Sequence, residues 1–259
     1  MALDDDIRQA AGWLAGCKRL AILTGAGVSK ESGIPTFRDA LDGLWARYDP
    51  TQLATPEAFA ADPKLVWDFY AYRRQIARDV QPNAGHRALA ALEQRIPTVT
   101  LITQNIDDLH ELAGSKNVIR LHGRLTANKC LNHCQGEPTP IDIATLPNKD
   151  ASPPTCPHCG APVRPDVVWF GEALSPANLQ AAFDAADHAD VMLIVGTSGV
   201  VNPAAQLPGV AKHAGAKVIE VNPERTPLTR LADVWLAGAS GDILPRVMAG
   251  MMNALDANE

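Results

Sequence analysis

The chain has 259 residues, 46% of them hydrophobic, and a formal charge of −6. That length holds one large domain or a domain with a smaller companion, and the apolar fraction suffices for a sizeable core. The acidic balance, the lack of any apolar run of membrane-spanning length and the acidic start Met1-Ala2-Leu3-Asp4-Asp5-Asp6 predict a cytoplasmic protein that binds neither nucleic acid nor membrane.

Residues 4–19 place Ile7, Ala10, Ala11 and Leu14 on one helical face, with Cys17 following as a small buried hydrophobe. Leu20-Ala21-Ile22-Leu23 then runs into Thr24-Gly25-Ala26-Gly27-Val28-Ser29. An unbroken apolar run before a glycine turn reads as a parallel strand buried on both faces. Gly25 and Gly27 permit a tight bend and close approach of a ligand, although Lys30 occupies the third glycine place of the dinucleotide fingerprint. Residues 31–39 form a loop with Ser, Gly and Pro, a candidate lid whose Arg38 either pairs with a pyrophosphate or is a plain surface arginine.

Residues 41–85 hold most of the aromatics, including Trp45, Tyr48, Phe59, Trp67, Phe69, Tyr70 and Tyr72, and read as a helical insertion. Pro56 marks one helix start, and 64–79 forms a longer helix. A helix over 86–93 leads back to the sheet.

Four more apolar runs end in polar or glycine residues. Residues 99–103 end in Gln104-Asn105-Ile106-Asp107, and 118–121 end in His122-Gly123. Residues 191–195 end in Gly196-Thr197-Ser198-Gly199, and 218–221 end in Asn222. Ligands of open parallel sheets bind outside the carboxyl ends of the strands, so these five ends predict one nucleotide-sized crevice.

Residues 124–168 lack helical periodicity and carry eight of the 20 prolines. Such a segment needs a staple. Cys130 and Cys134 form one close pair and Cys156 and Cys159 another, with 21 residues between the pairs. Two thiolate pairs on two knuckles suit a tetrahedral zinc with no open position, hence a structural metal. His133 and His158 read as loop histidines beside it. A further core strand is expected across 166–172. A helix over 175–189 has Ser175 as N-cap and Pro176 at its first position, and a Met-rich helix follows Asp242-Ile243-Leu244-Pro245.

Together these motifs resemble the sirtuin family of NAD-dependent protein deacylases. The resemblance rests on Gly25-Ala26-Gly27-Val28-Ser29, Gly33-Ile34-Pro35-Thr36-Phe37-Arg38, Thr103-Gln104-Asn105-Ile106-Asp107, His122-Gly123, the four cysteines, Trp169-Phe170-Gly171-Glu172, Gly196-Thr197-Ser198 and Asn222. It implies an α/β fold: a Rossmann-like domain over 1–40, 86–123 and 169–259, with a small domain made of the 41–85 helical insertion and the 124–168 zinc module.

The resemblance further implies that NAD is a co-substrate. Gly25, Ala26, Gly27, Ser29, Thr36, Phe37, Arg38 and Trp45 would hold its phosphates and nearby groups. Gln104, Asn105, Ile106 and Asp107 would face the nicotinamide end. Gly196, Thr197, Ser198, Asn222, Pro223, Glu224 and Ser240 would face the adenosine end. The amide oxygen of an acyl-lysine protein or peptide attacks the nicotinamide ribose, with Asn105 assisting. His122 is then the general base on a ribose hydroxyl, a task that suits imidazole. The products are free lysine, nicotinamide and acyl-ADP-ribose. His86, His110, His188 and His213 are read as structural.

The substrate would lie as an added strand between the Val168–Glu172 segment and the loop starting at Gly199, with Phe170 walling the lysine tunnel. Tyr70 and Arg73, three residues apart on a helix, match family members that remove succinyl and malonyl groups. Pro50 and Asn202 depart from that subgroup, which leaves the chain-length preference open. The residues also admit an NAD glycohydrolase or ADP-ribosyltransferase, and a non-catalytic NAD-sensing module.

Overall fold

The structure, a computed structural model, describes residues 2–36 and 48–256. The expected cofactor residues Phe37, Arg38 and Trp45 lie outside the described residues.

In chain order the strands are β1 (Arg19–Thr24), β2 (Thr98–Thr103), β3 (Val118–Arg120), β4 (Gly123–Cys130), β5 (Val163–Val167), β6 (Val191–Val195), β7 (Lys217–Asn222) and β8 (Val234–Ala237). Six of them form one sheet in the order β3-β2-β1-β6-β7-β8, every pair parallel. This is the doubly wound Rossmann order, and the direction of winding reverses between β1 and β6. The five expected strands are all present. The edge strand β8 was not expected, because four residues are too short to show a pattern.

Successive side chains on a strand point to opposite faces, and both faces are buried here. Leu20 and Ile22 of β1 join one core, and Ala21 and Leu23 join the other. The first core is covered by α1 (Ala2–Ala15), α6 (Ala84–Leu92) and α10 (Ser240–Asp256), the second by α8 (Pro176–Asp187) and α9 (Leu207–His213). Ser175 caps α8 as expected, its hydroxyl accepting from the Asn178 N–H. α1 stops at Ala15, short of the expected 19, where Gly16 interrupts it. α10 begins at Ser240, ahead of Pro245. Glu31 secures that start by accepting from the Ser240 hydroxyl (3.0 Å) and the Gly241 N–H (2.8 Å), and Pro245 lies inside the helix.

The remaining elements build the smaller unit. These are α3 (Pro50–Leu53), α4 (Pro56–Ala61), α5 (Pro63–Arg78) and the antiparallel pair β4–β5. Asp62 caps α5 through the Leu65 N–H, with Pro63 at the first helical position. α5 has two apolar sides. Phe69 and Tyr70 pack with Phe59, Leu125, Val167 and Trp169, while Trp67 packs with Cys130, Cys156 and Val163. The helical insertion and the cysteine module thus share α5 as their joint. β4 was not expected, and β5 ends at Val167, so the expected strand across 166–172 is only its first part. Two short helices complete the fold, α2 (Gly27–Lys30) and α7 (Leu109–Ala113). Among the described residues no helix is long and apolar enough to cross a membrane.

Candidate active site

The parallel register places the strand ends level. Thr24 lies opposite both Thr103 and Val195, and Val195 opposite Val221. Gly25, Gln104, Gly196 and Asn222 therefore stand side by side at the carboxyl edge, astride the β1/β6 switch point where such folds bind ligands.

Two of the turns interlock. The Gly25 and Gly27 amides donate to the Val195 and Gly196 carbonyls. A Cβ on Gly27 would come within 2.6 Å of the Gly196 oxygen, and one on Gly196 within 2.4 Å of the Val28 nitrogen. These glycines are required first by the approach of the two turns to each other. Polar side chains tie the edge together: Gln104 donates to the Thr197 hydroxyl (2.9 Å) and Asn222 to the Thr197 carbonyl (3.1 Å). Ser198 is half-buried beside them, and Pro223 and Glu224 are exposed past the end of β7. Ser240 is buried and engaged with Glu31.

A buried polar cluster lies under the β1 and β2 ends. The Ser29 hydroxyl donates to Asp107 Oδ2 (2.9 Å) and accepts from the Asn105 amide (3.1 Å). Asp107 also accepts from the Leu109 N–H (3.0 Å). Burial raises the Asp107 pKa, and the Leu109 and Ser29 bonds and the Arg120 charge oppose that rise. Arg120 donates to the Asp107 carbonyl (2.7 Å) and pairs with Asp108 and Glu111, which pins the loop after β2 to β3. Ile106 is half-buried against the α5 core. Thr36 is half-buried.

His122 follows β3 and faces the same edge. Its Nδ1 lies 2.8 Å from the Gln104 carbonyl oxygen. A carbonyl only accepts, so Nδ1 carries the proton and Nε2 keeps its lone pair. Burial lowers the His122 pKa, partly offset by the Gln104 bond, so the ring is neutral near pH 7. So held, Nε2 can accept a proton from a neighbouring hydroxyl.

His86 and His110 look unremarkable in the sequence, yet both are fully buried beside this cluster, ring centroids 4.9 Å apart. His86 accepts from the Asn83 N–H at the start of α6 and faces Ser29, while His110 bonds Thr24 (2.9 Å). Burial lowers their pKa values to about 4 and about 3. The Asn-x-x-His spacing of a capping box was the one available clue to His86. Glu31 and Arg120 gave none.

On the smaller unit, Tyr70 and Arg73 lie on one side of α5, the Arg73 guanidinium carbon 5.7 Å from the Tyr70 ring centroid. The Val168 N–H donates to the His122 carbonyl (2.9 Å), joining this unit to the histidine. Phe170, 46% exposed, stands out from the surface beside it, its N–H bonded to the Ala54 carbonyl.

The four cysteines converge, every Sγ within 4.8 Å of the others. Tetrahedral zinc with Zn–S bonds of about 2.3 Å needs Sγ separations of about 3.8 Å. Cys130 and Cys159 are 3.5 Å apart, and Cys134 and Cys156 are 3.8 Å apart. The donors and their spacing fit one structural zinc. His133 and His158 are not among the cluster.

The Sir2 family model matches residues 25–203, more than half of the chain. The chain belongs to the Sir2 family. It is 54% identical over 237 residues to NAD-dependent protein deacylase 1 of Pseudomonas aeruginosa, covering 91% of this chain and 95% of that protein. The structure of a Sir2 homologue in complex with NAD superposes with a TM-score of 0.86 at 46% identity, covering 95% of this chain and 94% of that one. The structure of Sir2Af2 bound to a myristoylated histone peptide gives 0.77 at 34% identity, covering 98% of this chain and 99% of the other. The strand ends carry hydroxyls and amides at Ser29, Asn105, Ser198 and Asn222 and a carboxylate at Asp107, polar groups of the kind a dinucleotide such as NAD needs.

Proposed function

We propose that this Sir2-family chain, an NAD-dependent protein deacylase, prefers lysines carrying acidic acyl groups such as succinyl and malonyl. The observation that carries the preference is the Tyr70–Arg73 pair. Burial depresses the Arg73 pKa, so a carboxylate arriving beside it regains what the guanidinium loses in leaving water. Arginine offers a planar fork to that carboxylate, and tyrosine adds a hydroxyl.

Bound NAD supplies a ribose carbon that accepts the acyl oxygen as nicotinamide departs. The Gly25-Ala26-Gly27 turn, Ser29 and Thr36, with Phe37, Arg38 and Trp45, hold the phosphate and neighbouring groups. Gly196, Thr197, Ser198, Asn222, Pro223, Glu224 and Ser240 hold the adenosine end. Gln104, Asn105, Ile106 and Asp107 orient the nicotinamide end. His122 Nε2 takes the proton from a ribose hydroxyl, its ring held by the Gln104 carbonyl. The substrate chain runs along Val168, and Phe170 walls the lysine; a relative that binds an acylated histone peptide supports such a cleft. The deprotonated hydroxyl would attack the acyl carbon and water would release the lysine, giving nicotinamide, free lysine and acyl-ADP-ribose.

The test uses one peptide carrying acetyl-, malonyl- or succinyl-lysine, with NAD, following nicotinamide and free lysine together. Equal yields of the two, with the acidic substrates faster, support the reading. Nicotinamide formed without peptide indicates a hydrolase, and neither product indicates a sensor.

A further inference from the structure

Tyr70 is 1% exposed, and its hydroxyl oxygen accepts from the Trp169 indole Nε1–H at 3.0 Å. An indole N–H only donates, and so does a guanidinium. The charged neighbour on this side of α5 is Arg73, its guanidinium carbon 5.7 Å from the Tyr70 ring centroid. Neither neighbour can take the hydroxyl proton, so that proton is available only to a third group, and the group must be an acceptor.

Trp169 is itself held on several sides. The Arg164 guanidinium stacks on the indole with Cζ 3.3 Å from the ring centroid, and Arg164 is 2% exposed. Glu172 binds both terminal nitrogens of Arg164 and also accepts from the Trp169 backbone N–H at 2.8 Å. Arg164 donates in addition to the Val167 carbonyl (2.9 Å). Phe59 packs against the indole at 5.2 Å between centroids. The indole therefore has one orientation, and its N–H a fixed target.

We infer that Trp169 is a positioning residue for acyl selectivity: its indole N–H, locked by the Arg164–Glu172 clamp, commits the Tyr70 hydroxyl to donate to the acidic end of the acyl chain. This rests on the acidic-acyl reading above. A phenylalanine at 169 keeps most of the ring but frees the Tyr70 oxygen, so its hydroxyl can turn away from the substrate. The residue touches Tyr70, not the reacting atoms, so its effect is confined to selectivity.

The experiment measures kcat/KM for succinyl- and acetyl-lysine forms of one peptide in wild type, Trp169→Phe, Tyr70→Phe and the double variant. In Trp169→Phe the succinyl-to-acetyl ratio should fall about tenfold, with the acetyl value within about twofold of wild type. In the Tyr70→Phe background the same substitution should change the ratio no further. Replacing Trp169 by benzothienylalanine, which exchanges only the N–H for sulfur, should reproduce the fall if the phenylalanine variant does not fold. An unchanged ratio in the benzothienylalanine protein, equal losses on both substrates, or additive effects in the double variant overturn the inference and leave the acidic preference standing. A wild-type ratio near one overturns the acidic-acyl reading, and the inference with it.

Discussion

Lowering the pH from 7.5 to 5.5 should destabilise the protein through His86 and His110. Both are buried neutral, with pKa values lowered to about 4 and about 3. In the unfolded chain each titrates near 6.5, so between those limits the unfolded state binds more protons. Their contribution is complete above pH 6.5 and is lost as the pH falls toward the folded values. At pH 5.5 an unfolded histidine gains about 1.4 kcal/mol by protonation that the buried one cannot, against about 0.1 kcal/mol at pH 7.5. The loss is thus about 1.4 kcal/mol for each ring and about 2.7 kcal/mol for the pair, whether the folded value is 3 or 4. Asp107, whose pKa burial raises, acts in the opposite sense, and the cysteine module has its own pH dependence. Comparing wild type with His110→Gln cancels both. Urea unfolding of the zinc-loaded proteins at the two pH values should show the variant losing about 1.4 kcal/mol less than wild type. Equal losses in the two proteins would refute the argument that His110 is buried neutral beneath the site.

The other expectations concern the base and the metal. His122→Ala should lower turnover by about two to four orders of magnitude with little change in NAD affinity measured by calorimetry, and activity within a few-fold of wild type contradicts its role. The rising limb of kcat/KM with pH should report an apparent pKa below 6.5, because burial lowers that of His122 and only its neutral form accepts a proton. One zinc per chain should be found by metal analysis, with Cys130, Cys134, Cys156 and Cys159 unreactive to thiol reagent until a chelator is added. Cys156→Ala should unfold the small unit and lower activity indirectly, and a native protein with four reactive thiols and no zinc contradicts the assignment.

Much of the fold is legible because a strand buried on both faces leaves a continuous apolar run, as at residues 20–23 and 191–195. The zinc module is legible for a different reason: paired thiols at short spacing have few other uses. β4 is not legible because half of Gly123-Arg124-Leu125-Thr126-Ala127-Asn128-Lys129-Cys130 is polar and the strand belongs to a sheet of only two strands. β8 was missed because it is four residues long.

At the site, His122, Asn105 and Asp107 follow from their places at strand ends. The groups that set their geometry do not. Arg120 reaches Asp107 from the neighbouring strand, and His86 faces Ser29 from 57 residues away. The Arg164, Trp169 and Tyr70 stack draws on β5, the segment after it and α5, so no local pattern records it. Such contacts exist only once the chain has folded.

The most direct measurement of the central claim is the ratio of kcat/KM for succinyl- over acetyl-lysine peptide in wild type and in Arg73→Met. A charge-assisted hydrogen bond is worth about 1.5–3 kcal/mol, so the wild-type ratio should exceed one by about ten- to a hundredfold. Arg73→Met should remove most of that advantage while acetyl turnover changes far less. A variant that loses activity on both substrates in equal proportion would contradict the account, since Arg73 would then support the small unit rather than read the acyl group.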